Sequence, residues 1–517
     1  MGRQVIDSAG RGLTSEAPLL SELRVPATTR PARRSGRVAL LLGPLLLLIF
    51  GWPFVVGTDP DYWWHVRTGQ LIYDTRSIPA ADVFSYTAAG RPWVTHEWLT
   101  ELLFYVVSLH VGYVGNVALF GLIGVLTGLA VYATCRRWGV GEIGSALLML
   151  WSQAMALGAT NVRPQVLTAL LLAVCVLSLT LYWDGRTGRG GRTKALLPLP
   201  FVFALWVNLH GGYVIGLALL GMAVVGAAFA RGLTRPVVPP RSLLAVTASS
   251  VAATLLNPHG FEAWLYPFSY LGAGNVSMRH IAEWQSPDFH QPIFLVFGAS
   301  LLLAALLGVG RRPLGVTEVL WTIAFAALGL QSIRNIPLFA VVVTPLLGAR
   351  LQAEIPALRQ SLAAWRRPAL LVVASAALLL ISLTPILVPA KRATLQLGWE
   401  PSSAGYPAGA VAYLRSHHLQ GNLFNEYGWG GYLIYNLYPR RRVFIDGRAD
   451  VYGDAFGERY DQVVTLSPTW KTILDADDIR LVLVPRTSPL AVALGSDPGW
   501  HEVYSDQLAG LFARQQS

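Results

Sequence analysis

The sequence predicts a mainly α-helical, polytopic transmembrane bundle of about eleven spans that ends in a small extracytoplasmic α/β domain. Three observations carry this expectation. Of the 517 residues, 53% are hydrophobic and only 13% charged, whereas a soluble chain carries about 25% charged residues. Apolar stretches of spanning length, about 17–25 residues, recur from residue 38 to residue 389. Lysine and arginine fall on alternate connections between those stretches.

The predicted spans lie at 38–57, 115–135, 143–160, 166–183, 195–209, 213–230, 242–257, 293–309, 316–332, 336–350 and 368–389. With a cytoplasmic N-terminus, the inner segments hold 22 lysines and arginines and the outer membrane loops hold 6. That asymmetry sets the orientation, N-terminus in and C-terminus out, in a cell (plasma) membrane. It also accounts for the formal charge of +11. The basic excess faces anionic lipid, so nucleic acid is excluded as a partner. Residues 1–37 form a basic, Arg-rich cytoplasmic segment, and the first apolar run reads as a retained signal anchor. Residues 38–389 form the membrane domain, with a long first external loop at 58–114.

Residues 390–517 form the outer domain. Ala408–Arg415 and Gly430–Leu437 read as helices, and Asn422–Asn425 and Arg442–Ile445 as extended segments. Ile479–Val484 is a β-branched run expected as a buried strand. The two cysteines, Cys135 and Cys175, sit in apolar runs and give neither a disulfide framework nor a metal cluster.

Polar residues near a bilayer are costly and mark function. All ten histidines fall on the predicted outer side, so the chemistry is expected there. The first external loop is the richest segment. It opens Thr58-Asp59-Pro60-Asp61-Tyr62-Trp63-Trp64-His65-Val66-Arg67 and runs to Trp93-Val94-Thr95-His96-Glu97-Trp98. Two acids stiffened by a proline suit a cation site or a general base. The alternative is an interfacial aromatic belt with solvated acids. Thr95 or Thr100 is placed to cap the amphipathic helix that follows. Further polar clusters end the later spans: Asn161-Val162-Arg163-Pro164-Gln165, Asn208-Leu209-His210-Gly211, Glu283-Trp284-Gln285 and Ser332-Ile333-Arg334-Asn335. Arg163 and Arg334 suit a phosphate by bidentate hydrogen bonding, or equally an acid nearby. Asp446-Gly447-Arg448 reads either as a site cluster or as a strand-ending turn with an internal ion pair.

The Asp-Pro-aromatic element after the first span resembles the start of the first external loop in oligosaccharyltransferase catalytic subunits. The whole layout resembles the GT-C superfamily of membrane glycosyltransferases. Asn425-Glu426-Tyr427-Gly428-Trp429 is similar to the Trp-Trp-Asp-Tyr-Gly region that helps those enzymes hold an acceptor peptide. Asp59 matches the Asp-Pro position, with Asp61 as the alternative. Two departures stand out. No second acidic motif follows near Asn161–Gln165, and the tail lacks the Trp-Trp-Asp triplet. The closer resemblance is to GT-C enzymes that use a polyprenyl-phosphate sugar.

The resemblance implies transfer of a sugar from such a donor to a glycan, lipid or protein acceptor on the outer face. Asp59 or Asp61 would be the catalytic base. Substrate would be held by His65, Arg67, His96, Glu97, Arg163, His210, Glu283 and Arg334. A divalent cation, Mg or Mn, is left open against a metal-independent reaction. Two other classes compete: a flippase for lipid-linked glycans, and a non-enzymatic scaffold or sensor. Clustering of the polar residues at one end of the spans, with no repeat, favours the enzyme.

Overall fold

A computed structural model describes residues 35–157, 161–184, 193–230, 238–267, 281–310, 314–356, 373–377, 379–380 and 397–515. Residues 1–34 of the expected basic segment, most of the expected span 368–389, and His280 lie outside the described residues.

Where the sequence is apolar over three turns or more, it is helical. The helical part comprises α1 (Ser35–Gly51), α2 (Tyr62–Thr75), α3 (Trp98–Val111), α4 (Tyr113–Arg137), α5 (Glu142–Ala156) and α6 (Gln165–Trp183). It continues with α7 (Leu199–Leu209), α8 (Tyr213–Ala228), α9 (Arg241–Ala253), α10 (Leu295–Gly308), α11 (Val316–Gln331) and α12 (Ile336–Glu354). Among the described residues, three helices are long and apolar enough to cross a membrane by length and composition: Tyr113–Arg137, Gln165–Trp183 and Ile333–Glu354. Shorter apolar helices of 10–17 residues surround them.

α12 is the axle of the bundle and packs on α4, α5, α6, α10 and α11. Close approach elsewhere depends on small residues, as membrane helices favour. A Cβ at Gly226 of α8 would lie 1.8 Å from Thr317 Oγ1 of α11.

The C-terminal region carries a four-stranded sheet in the order β1-β2-β4-β3. The strands are β1 (Asn422–Asn425), β2 (Ile479–Pro485), β3 (Trp500–Ser505) and β4 (Ala509–Arg514). β1 and β2 are parallel, with Phe424 opposite Val482, and β4 runs antiparallel to both β2 and β3. The expected helices are present as Ala408–His417 and Gly430–Leu437. Arg442–Ile445 does not join the sheet. Val443 instead makes a single bridge to Ser85, because the first loop reaches it before any strand does. The apolar core of the sheet continues without a break into Trp63, Trp64, Phe84 and Trp93 of the first loop.

Neither threonine caps α3. Its N-cap is Glu97, while Thr95 Oγ1 donates to Pro79 O and Thr100 Oγ1 donates to Leu209 O.

Candidate active site

Asp59-Pro60-Asp61 forms a tight turn leading into α2. Asp59 Oδ1 accepts the Asp61 N–H at 2.9 Å, the self-bonding that makes aspartate a turn former. Asp61 is the N-cap of α2, yet its carboxylate makes no capping bond. It turns away and accepts from Trp64 Nε1 at 3.0 Å. Across from this turn, the short segment before α6 presents Arg163. The guanidinium contacts Asp59 Oδ2 at 3.3 Å, Asp61 Oδ2 at 2.5 Å and Glu283 Oε2 at 2.6 Å. Asn161 Nδ2 completes the Asp59 shell at 3.3 Å.

The two aspartates differ in access. The Asp59 side chain is 3% exposed and that of Asp61 is 20% exposed. Burial raises both carboxyls, and Arg163 only partly offsets it. Asp61 is pushed up to about 7. Burial would raise Glu283 as well, but Arg163 and Arg334 outweigh it and hold Glu283 below the usual carboxylate range. With three carboxylates around one guanidinium, the centre is short of positive charge.

One turn along α2, His65 belongs to a second cluster. Glu97 is surrounded by three imidazoles: His96 Nε2 and His210 Nε2 each lie 3.4 Å from Oε1, and His65 Nε2 lies 3.7 Å from Oε2. His210 Nδ1 accepts the Gly212 N–H at 2.9 Å, which assigns the ring proton to Nε2, facing Glu97. Burial pushes His65 and His210 down to about 3. Burial would lower His96 too, but the Glu97 carboxylate overrides it and raises His96 above its ordinary value. Burial would raise Glu97, and His96, His210 and His65 reverse that and hold it low. The field of Arg163 reaches both His65 and His210, so the two clusters adjoin.

Arg334 stands beside them. Its Nη2 donates to Gln165 Oε1 at 3.2 Å, and its guanidinium lies 4.5 Å over the Trp284 ring. It lines a cavity of ≈ 40 Å³ with Gln165, Gln153, Ser152 and Thr127. Arg67 is turned elsewhere: it donates to Tyr438 O at 2.7 Å and to Gln70 at 2.5 Å, tying α2 to the C-terminal region. Every other residue singled out in the sequence for the site lies in one of the two clusters or beside them.

The C-terminal region contributes directly. A Cβ at Gly447 would fall 1.9 Å from Asp61 Oδ1, so the Asp446-Gly447-Arg448 turn lies against the acid. Arg448 is 2% exposed and is clamped by Asp446 through Nε at 2.8 Å and Nη2 at 2.7 Å. Its Nη1 lies 2.7 Å from Asp82 of the first loop.

No family model matches the sequence, and no curated protein matches it. Solved structures do match. The oligosaccharyltransferase from Archaeoglobus fulgidus, tethered with an acceptor peptide containing the NVT sequon, superposes with a TM-score of 0.56 at 13% identity. That match covers 94% of this chain and 74% of the other. ArnT from Cupriavidus metallidurans bound to undecaprenyl phosphate gives 0.52 at 14% identity, over 93% of this chain and 98% of the other. The archaeal enzyme with an inhibitory peptide and a dolichol-phosphate gives 0.51 at 12% identity, over 93% and 74%.

The chain has the GT-C fold. Among the described residues, three of its helices are long and apolar enough to cross a membrane. Four residues at the centre were not named individually as site residues from sequence. Asn161 is amidic where an acid was sought, and Trp64 reads as part of an aromatic belt. Gly447 carries no side chain to mark it. Tyr427 was noted only as part of the acceptor-like motif, yet the charges of Asp61, Arg163 and Glu283 all act on its hydroxyl. A glycine flanked by an acid and an arginine was the one signal that pointed to this turn.

Proposed function

We propose that this protein is a membrane glycosyltransferase that moves a sugar from a polyprenyl-phosphate-linked donor to an acceptor on the extracytoplasmic face. In this reading the chain crosses the membrane about eleven times, N-terminus in and C-terminus out. The observation that carries the reading is the Asp59–Asp61–Arg163–Glu283 centre, in which one acid is buried and its neighbour is reachable and near neutrality. The GT-C fold supports it, as do the dolichol-phosphate and undecaprenyl phosphate bound by two structural neighbours.

Asp61 takes the proton from the acceptor hydroxyl, and a base near the working pH is the efficient one. The acceptor oxygen bonds to the anomeric carbon as the bond from that carbon to the phosphate oxygen breaks. The polyprenyl phosphate leaves as an anion, and Arg334, held by Gln165 and Trp284, stabilises the developing charge. Arg163 and Asp59 hold Asp61 in place. Transport is the weaker reading because the polar groups meet at one end of the helices and not at their middle.

The test is transfer from a labelled polyprenyl-phosphate sugar by the reconstituted full chain. Asp61→Asn is expected to lower the rate by about 10²–10⁴-fold. For wild type, kcat/KM is expected to rise with pH and level off above about 7, where Asp61 becomes the free base. Full activity in Asp61→Asn would remove the assignment.

A further inference from the structure

The resemblance leaves a divalent cation open, and the carboxylate centre can be tested for room to hold one. Asp59, Asp61 and Glu283 come from separate parts of the chain and converge, as ligands of a hard cation do. The point on which they converge is filled. Asp59 Oδ2, Asp61 Oδ2 and Glu283 Oε2 all face the Arg163 guanidinium. The other oxygens of the aspartates are taken by the Asp61 N–H and Trp64 Nε1. Asn161 stands where a further anionic ligand would be needed. Magnesium demands near-octahedral oxygens at about 2.1 Å. Among the described residues, no group of three or more His, Cys, Asp or Glu is arranged to hold a metal. A divalent ion therefore does not fit unless Arg163 leaves.

We propose that Arg163 is the resident cation of this centre, occupying the place of a divalent metal, so that the reaction runs without one. The guanidinium brings one charge that it cannot lose, in a fixed fork matched to carboxylates. A metal would bring two charges and displace protons from its ligands. With only one fixed positive charge among three acids, the centre keeps a place for a proton, which is what a general base requires. The raised proton affinity of Asp61 agrees with this. The catalytic half of the inference rests on the glycosyl-transfer reading, whereas the metal-binding half rests on the geometry alone.

The test uses Mn²⁺ as probe on the purified full chain, read by electron paramagnetic resonance. Wild type is expected to bind no Mn²⁺ at this centre. Arg163→Ala is expected to gain one Mn²⁺ per chain, lost again when Glu283→Gln is added. A wild-type Mn²⁺ site that Asp61→Asn abolishes would overturn the proposal, as would a folded Arg163→Ala protein that binds none. Should Arg163→Ala not fold, the wild-type measurement still decides. In parallel, EDTA is expected to leave wild-type transfer unchanged, and a loss of about tenfold or more restored by Mn²⁺ would also overturn it. If no sugar transfer is found at all, the functional reading fails while the Mn²⁺ spectra still test the occupancy of the centre.

Discussion

The two carboxylate centres beside α2 are built on opposite plans. Around Asp61, three acids share one guanidinium. Around Glu97, three imidazoles surround one carboxylate, and His65 also meets Glu101 through its other nitrogen at 3.3 Å. Arginine does not titrate in proteins, so in the first centre the adjustable proton belongs to a carboxylate. In the second the carboxylate is held ionised, and the adjustable proton belongs to a histidine. In the proposed reaction the first centre removes a proton from the acceptor. The other is fitted to orient hydrogen-bonding groups beside it. Burial alone does not separate them, since it acts on both. The number and kind of basic partners does.

The largest effect that would sharpen this contrast concerns the support of the first centre. Arg448 holds the turn that lies against Asp61, and it is buried between Asp446 and Asp82. Arg448→Met leaves two acids buried without their cation. Breaking a buried pair this way costs about 3–5 kcal/mol. Thermal unfolding of the purified protein should fall accordingly. An unchanged midpoint would mean that the C-terminal region does not hold the loop through this ion pair.

A smaller change aims at Asp61 and leaves the fold in place. In Gly447→Ala the new methyl group meets Asp61 Oδ1 and approaches Trp64 Nε1, at 1.9 and 3.3 Å before relaxation. Displacing a reacting group by about 1 Å costs on the order of 10²-fold in rate. Transfer is therefore expected to drop by about that factor, with the melting midpoint little altered. The ionisation of His96, in the second centre, should not move. A shift there would mean that the two centres respond as one.

The helical frame was legible because apolar runs of fixed length are a direct readout of membrane geometry. The strands were less so. Ile479–Val484 announced itself by β-branching, while Trp500–Ser505 carries exposed His501 and Glu502 on an edge and gives no buried-strand pattern. For the site, sequence identified acids and bases but not their partners. That Arg163 meets three carboxylates, and that His65, His96 and His210 meet one, depends on loops far apart in the chain. Ion pairing across 102 and 120 residues leaves no local spacing to read. Arg67 was grouped with Arg163 among the residues expected to hold substrate, but α2 turns it toward Tyr438.

The smallest predicted effect isolates the second centre. His96 is held above its ordinary value by Glu97 and, further off, by Asp450. The other imidazoles facing Glu97 are those of His65 and His210, both pushed down to about 3 and neutral through the physiological range, and the buried Glu101 carboxyl, raised by burial and by Glu97, lies behind His65. Glu97→Gln removes the main source of the His96 shift. Its pKa should then fall toward or below the ordinary 6.5, as read by NMR titration of a labelled imidazole. The sign for stability follows. A histidine with a raised folded pKa contributes stability that is full below about 6.5 and is lost as pH rises through the raised value. Wild type should therefore lose stability across that window relative to Glu97→Gln, whose profile should be flatter there. If His96 keeps its raised value without Glu97, its proton is held by Asp450 and the Val94 carbonyl. The contrast between the centres would then rest on Asp450 in place of Glu97.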